Sequence, residues 1–171
     1  MNPLARLGIL YSFILVGITG CTGYAPLAVS REPVTVELLP VINRTELPQI
    51  IAPLARNIRE GLAHSPNWRL SGGQDAQVQL QVTVTAFSRD DIAREPTDTG
   101  RPLSFNETVR VSIEWISELP PPWGSDPVVY VESDQLLYAQ PSLVDSETVA
   151  MAEIAERLSE KVIQQLDWIQ D

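Results

Sequence analysis

Apolar and polar residues alternate most regularly between Ala76 and Ala86. There Ala76, Val78, Leu80, Val82, Val84 and Ala86 interleave with Gln77, Gln79, Gln81, Thr83 and Thr85. A period of two places the first set on one face of a β-strand and the second on the other, which predicts a strand with one buried and one polar face. A second run of this kind, from about Leu103 to Glu118, sets Phe105, Val109, Val111, Ile113 and Trp115 against Asn106, Thr108, Arg110, Ser112 and Glu114. The intervening Arg89 to Pro102 is charged and contains Pro96, Gly100 and Pro102, so an exposed loop joining an antiparallel hairpin is expected. Shorter strands are predicted at Val34 to Leu38 and Val128 to Tyr138, with Trp68-Arg69-Leu70 a candidate before the Ser71-Gly72-Gly73 turn. Pro40 has no amide hydrogen to give a ladder, so it marks an edge, a bulge or the end of the first strand.

Two segments change to the helical period. Between Pro48 and His64, Ile51, Leu54, Ile58 and Leu62 recur three or four residues apart on one face, and Ser65-Pro66 stops the run. Pro53 requires that the regular helix begin near Ile50 or that its first turn be kinked. Near the C-terminus Met151, Ala155, Leu158, Val162, Leu166 and Ile169 form a stripe, and Glu153, Glu156, Glu160, Gln164 and Asp167 lie opposite. Ser142 to Asp145 has the residues of a capping box, and Glu153 with Arg157 is a favourable pair one turn apart. Each helix has one apolar stripe and the sheet one apolar face. The expected fold is α+β: two helices packed on one face of a four-stranded mixed sheet, in the order β-α-β-β-β-α. The first crossover should return parallel to its start.

The N-terminal stretch Leu7 to Cys21 fits none of this. Arg6 precedes apolar residues from Leu7 to Ile18, and Thr19 and Gly20 lead to the only cysteine of the chain. This is the layout of a secretory signal peptide, and the run is short of the roughly 20 apolar residues that span a bilayer. Ile18-Thr19-Gly20-Cys21 resembles a bacterial lipobox, with Ile18 and Thr19 in place of the more usual Leu and smaller residue. That resemblance implies a diacylglycerol and an N-acyl chain on Cys21 and removal of residues 1–20. A simple export signal or an uncleaved anchor is the other reading. Residues 21–33 then form a lipidated tether rich in small residues and proline, and 34–171 a single domain. Acylation also accounts for a lone thiol in an exported protein, where a free one would mispair.

Charge narrows the function. The chain has 12 basic and 22 acidic side chains, a net −10, which argues against nucleic-acid binding and against charge-driven adhesion to an anionic membrane. Its single histidine, His64, sits at a predicted helix end with no motif around it, where capping is the plain role. No nucleophile elbow, phosphate loop or zinc-protease motif occurs, and Asp75, Asp98 and Asp126 lack calcium-loop spacing. Asp90-Asp91 and the helical glutamates lie in segments that read as solvated. No catalytic residue and no metal site are expected, and the chain reads as a binding or structural component. Pro120 to Pro122 reads as a plain surface loop, a polyproline segment offered to a partner being the other reading.

Taken in order, the lipobox cysteine, Gly23-Tyr24-Ala25-Pro26-Leu27, a strand, Asn43-Arg44-Thr45, an apolar helix and alternating Val/Gln/Thr strands resemble the LPS-assembly lipoprotein LptE family. The resemblance implies an outer-membrane lipoprotein on the periplasmic side that plugs the LptD β-barrel, assists its assembly and takes part in lipopolysaccharide insertion. Its implied partners are LptD, lipopolysaccharide and, through the lipid, the outer membrane. Thr22 after the cysteine fits outer-membrane sorting. Lipopolysaccharide carries phosphates, so the arginines around the hairpin, Arg89, Arg94, Arg101 and Arg110, are the candidate contacts with it or with the barrel wall. Interleaved Asp90, Asp91, Glu95 and Asp98 oppose that reading. The alternative is a periplasm-facing lipoprotein that regulates a cell-wall enzyme or serves a secretion channel.

Overall fold

The computed structural model describes residues 32–138 and 143–167, apart from the side chains at 74, 98–101 and 143–145. The leader, Cys21, the tether up to residue 31, Ser142 and Ile169 lie outside the described residues. In chain order the elements are β1 (Val34–Leu38), β2 (Ile42–Asn43), α1 (Ile51–His64), β3 (Trp68–Leu70), β4 (Val78–Glu95), β5 (Asp98–Ile116), β6 (Val128–Tyr138) and α2 (Leu143–Asp167).

Among the described residues six strands form one mixed sheet, in the order β3-β1-β4-β5-β6 with β2 also on β4. The four strands of the expected order are there, the Trp68-Arg69-Leu70 candidate forms a fifth, β3, and the two-residue β2 is too short for a period to reveal. β1 pairs in parallel with both β3 and β4, as a strand-helix-strand crossover requires. β2 continues β1 along the same edge of β4. From Leu38 to Ile42 the chain advances four residues while β4 advances three, from Leu80 to Thr83. Pro40 sits in that interruption, where no ladder donor is needed. Asn43 then fixes the exit: its Oδ1 accepts from the Thr45 amide (2.9 Å) and hydroxyl (2.7 Å), and its Nδ2 donates to the Leu47 carbonyl (3.1 Å).

A 3-10 turn, Pro48–Ile50, leads into α1, so Pro53 falls in the first turn of the α-helix, where an amide has no intrahelical partner to lose. Leu54, Ile58 and Leu62 are fully buried on its inner face. They meet Met151, Ile154, Ala155, Leu158, Val162 and Leu166 of α2 and the inward residues of β1, β4 and β5 in one core. The helices approach closely at Gly61, where a Cβ would lie 2.7 Å from Ile163 Cγ1. At one end of the core Trp68, Trp115 and Trp123 stack edge to face, with centroids 6.1 and 5.8 Å apart. Trp68 Nε1 donates to Asp167 Oδ1 (2.9 Å), which also accepts from Ser65 Oγ and Asn67 Nδ2 and so ties the β3 approach to the end of α2.

The hairpin departs from expectation in two respects. Arg89 to Pro102 is not a loop: β4 runs to Glu95 and β5 starts at Asp98, with only Pro96-Thr97 between them. Charge did not exclude a strand there because the end of a ribbon is wet on both faces. Further, β4 does not keep one phase. Val84 pairs with Val111 and Ala86 with Arg110, so Thr85 is an extra residue, a β-bulge. Beyond it the odd residues turn toward the helices, Phe87 opposite Val109 and Arg89 opposite Glu107. Ala86, expected on the buried face, is exposed.

Candidate functional site

The strand geometry separates three of the four hairpin arginines that the sequence groups as one basic cluster. Arg89 lies on the helix-facing side, while Arg110, in the opposite phase of β5, lies on the outer side. Arg110 forms a cross-strand pair with Glu132 of β6, Nη2 to Oε2 2.7 Å and Nε to Oε2 3.1 Å. Arg94, near the ribbon tip, pairs with Asp91 at 2.7 Å. Arg101 belongs to β5, and its side chain is outside the described set. The three described head groups thus each face a carboxylate, two of them in exposed pairs that contribute little to stability.

Arg89 is the exception, because its partner is buried. Glu107 follows Phe105 and precedes Val109 on the apolar side of β5, and its side chain has no exposed surface. Arg89 Nε donates to Glu107 Oε1 at 2.7 Å, and Nη2 contacts both Glu107 and Glu147 of α2. Phe87 and Phe105 lie beside the guanidinium, which stands 5.9 and 5.3 Å from their ring centroids. One arginine therefore ties the two long strands to the first turns of α2. Among the described residues Glu107 Oε2 has no hydrogen-bond partner. Burial pushes the Glu107 carboxyl above the ordinary range, more than the Arg89 hydrogen bond and charge pull it down, and Glu147 pushes the same way. Burial alone would lower the Arg89 pKa, but pairing with both glutamates outweighs it and raises the net value.

Sequence reasoning does not single out Glu107 or Glu147. The available signal is a glutamate in phase with Phe105 and Val109, since a charge on a buried face needs a counter-charge across the ladder. His64 caps its own helix, with Nδ1 2.6 Å from the Glu60 carbonyl. Among the described residues no group of His, Cys, Asp and Glu converges as metal ligands, and no helix is long and apolar enough to cross a membrane.

The outer face of the sheet is polar and largely uncovered. Gln79, Gln81, Asn106, Thr108 and Ser112 lie along it, with Gln79 bonded to Glu37 (2.9 Å) and Gln81 to the Pro40 carbonyl (2.9 Å). Tyr130, Leu136 and Tyr138 of β6 stand exposed on the same side, and Thr85, Ala86, Arg110 and Tyr130 border a shallow depression at the bulge.

No protein-family model matches the chain, and no curated protein matches it in sequence. Solved structures do match in fold. A hypothetical protein, CT253, from Chlamydia trachomatis superposes with a TM-score of 0.53 at 13% identity, over 78% of this chain and 95% of that one. Protein XCC0632 from Xanthomonas campestris gives 0.50 at 8% identity, over 80% and 85%. The rare lipoprotein B from Shewanella oneidensis gives 0.49 at 13%, over 75% and 91%. At such identities the likeness is one of architecture, and the chain shares its helix-and-sheet fold with the first two of these proteins.

Proposed function

We propose that this chain is a lipoprotein of the LPS-assembly type, acylated on Cys21 and held at the periplasmic side of the outer membrane, where it seats in an LptD-like β-barrel. The observation that carries this reading is the sequence Ile18-Thr19-Gly20-Cys21 placed ahead of two helices on a mixed sheet. The outer sheet face supports it: a plug in a water-lined barrel needs a polar surface with few apolar anchors, and Gln, Asn, Thr and Ser with Tyr130 and Tyr138 supply one. The role is non-catalytic and consists of assisting barrel assembly and lipopolysaccharide insertion. Arg94 and Arg110, both more than half exposed, are better placed for a phosphate or wall contact than Arg89, which is engaged by Glu107 and Glu147.

The test is purification of the native protein from its own membranes and identification of what stays bound. A stoichiometric complex with one very large β-barrel is expected. Recovery with a cell-wall enzyme or a secretion channel instead would move the chain to the alternative class. In a parallel arm, Cys21→Ser should abolish labelling by a fatty-acid analogue. If the barrel complex survives that change, the anchor serves delivery and the folded domain makes the interface.

A further inference from the structure

The solvent side of the helix pair forms a second surface, unrelated to the sheet face and independent of the barrel reading. Between α1 and α2 runs an open groove of about 930 Å³, whose apolar floor is made by Gly61, Val149, Ala152 and Ile163. Val149 is 60% exposed, a large apolar side chain with nothing described upon it. The rim is acidic. Glu60 stands on the α1 side and Glu153, Glu156 and Glu160 on the α2 side, against a single lining cation, Arg56. Arg56 approaches Glu60 at 3.9 Å and Arg157 approaches Glu153 at 3.6 Å, whereas Glu156 and Glu160, a turn apart, have no cationic partner among the described residues.

We infer that this groove docks a basic amphipathic helix of a partner protein, with an apolar side chain seated on Val149 and Ala152 and Lys or Arg side chains on Glu156 and Glu160. Charge selects this occupant over the others. A second copy of a chain with net charge −10 would bring its own acidic helices to an acidic rim. An anionic lipid surface would be repelled in the same way. A metal ion is not favoured either, since among the described residues no carboxylates converge as a ligand set. Length agrees as well: from Val149 to Gln164 the groove follows α2 for about four turns, roughly 22 Å, which suits one helix lying alongside.

The probe is a synthetic four-turn helical peptide of leucine and lysine, titrated by fluorescence anisotropy onto the full chain in an uncharged detergent, with a detergent-only blank. Saturable one-to-one binding is expected. Neutralising the groove with Glu153→Gln, Glu156→Gln and Glu160→Gln together should weaken it about tenfold, and Val149→Ser should weaken it at unchanged charge. Neutralising three exposed glutamates elsewhere, Glu46→Gln, Glu114→Gln and Glu118→Gln, should leave it within about twofold. Equal weakening by the two triple variants, an unaffected affinity in Val149→Ser, or no saturable binding would overturn the inference. So would a homodimer in sedimentation that dissociates on groove neutralisation, because it would assign the surface to a second copy.

Discussion

Replacing Arg89 with methionine isolates the one buried charge in the described fold. In the native protein Glu107 is fully buried, and among the described residues its ionised form is balanced by Arg89 alone, since Oε2 has no partner there. The Arg89→Met change retains the aliphatic packing between Phe87 and Phe105 and removes the counter-charge. Breaking a buried pair by deleting one partner costs about 3–5 kcal/mol. Arg89 keeps 29% of its side-chain surface, which admits some solvent and places the expected loss near the lower end, at about 3 kcal/mol. Glu147, itself 26% exposed, can turn to water and adds little. The double variant Arg89→Met with Glu107→Leu removes both charges from the apolar face and should recover most of the loss. Glu107→Gln alone should be close to neutral, because Arg89 keeps Glu147.

The same pair sets a pH dependence whose sign is fixed. The folded-state pKa of Glu107 lies above its unfolded value, so the folded protein holds a proton that the unfolded chain releases. Its contribution to stability is therefore complete below the unfolded pKa and is lost as pH rises through the folded one. Without Arg89 the pKa rises further, so Arg89→Met should regain stability on acidification from neutrality toward about pH 5, by more than the native protein does. Urea unfolding followed by tryptophan fluorescence at both pH values measures this, with Trp68, Trp115 and Trp123 clustered as reporters. A loss below about 1 kcal/mol at neutral pH, or a double variant as unstable as the single one, would refute the reasoning.

Three further outcomes are expected. Gly61→Ala should destabilise by about 1 kcal/mol, because overpacking against Ile163 outweighs the gain in helix propensity, and adding Ile163→Ala should relieve the clash in thermal melts. Asp167→Ala leaves the Trp68 indole, Ser65 and Asn67 without their shared acceptor, and should cost about 2 kcal/mol by denaturant titration with a shift in tryptophan emission. On the edge strand β6, Arg157 Nη1 and Lys161 Nζ donate to the Asp134 and Glu132 carbonyls at 2.9 and 2.6 Å. Replacing both with Ala opens that edge and should produce concentration-dependent association in analytical ultracentrifugation.

What could be read from the sequence, and what could not, follows from how many residues each feature takes to express. The helices declared themselves because Leu54, Ile58 and Leu62, and Met151 through Leu166, repeat one face over several turns. β4 was legible up to Val84, and β5 from Phe105 to Trp115, for the same reason. The two-residue β2 is shorter than any period and is defined only by its neighbour β4, whereas β3 showed itself only as the Trp68-Arg69-Leu70 run ahead of a glycine turn. The bulge at Thr85 is a single inserted residue, yet it reverses the facing of every residue that follows in β4 up to the next irregularity. Carried through without it, the alternation would place Arg89 on the wet face beside Arg110 and gather the hairpin arginines into one basic patch. With it, Arg89 crosses to the apolar side and meets Glu107, a glutamate that the alternation of β5 had already placed among Phe105, Val109 and Val111. Each of these departures looks anomalous alone, an arginine following Phe87 and a charge in an apolar run, and each is the other's explanation. Arg89 thus leaves the cluster for a physical reason: arginines close in sequence around a hairpin are dealt to opposite faces by the pleat, and a buried carboxylate claims the one on its own side.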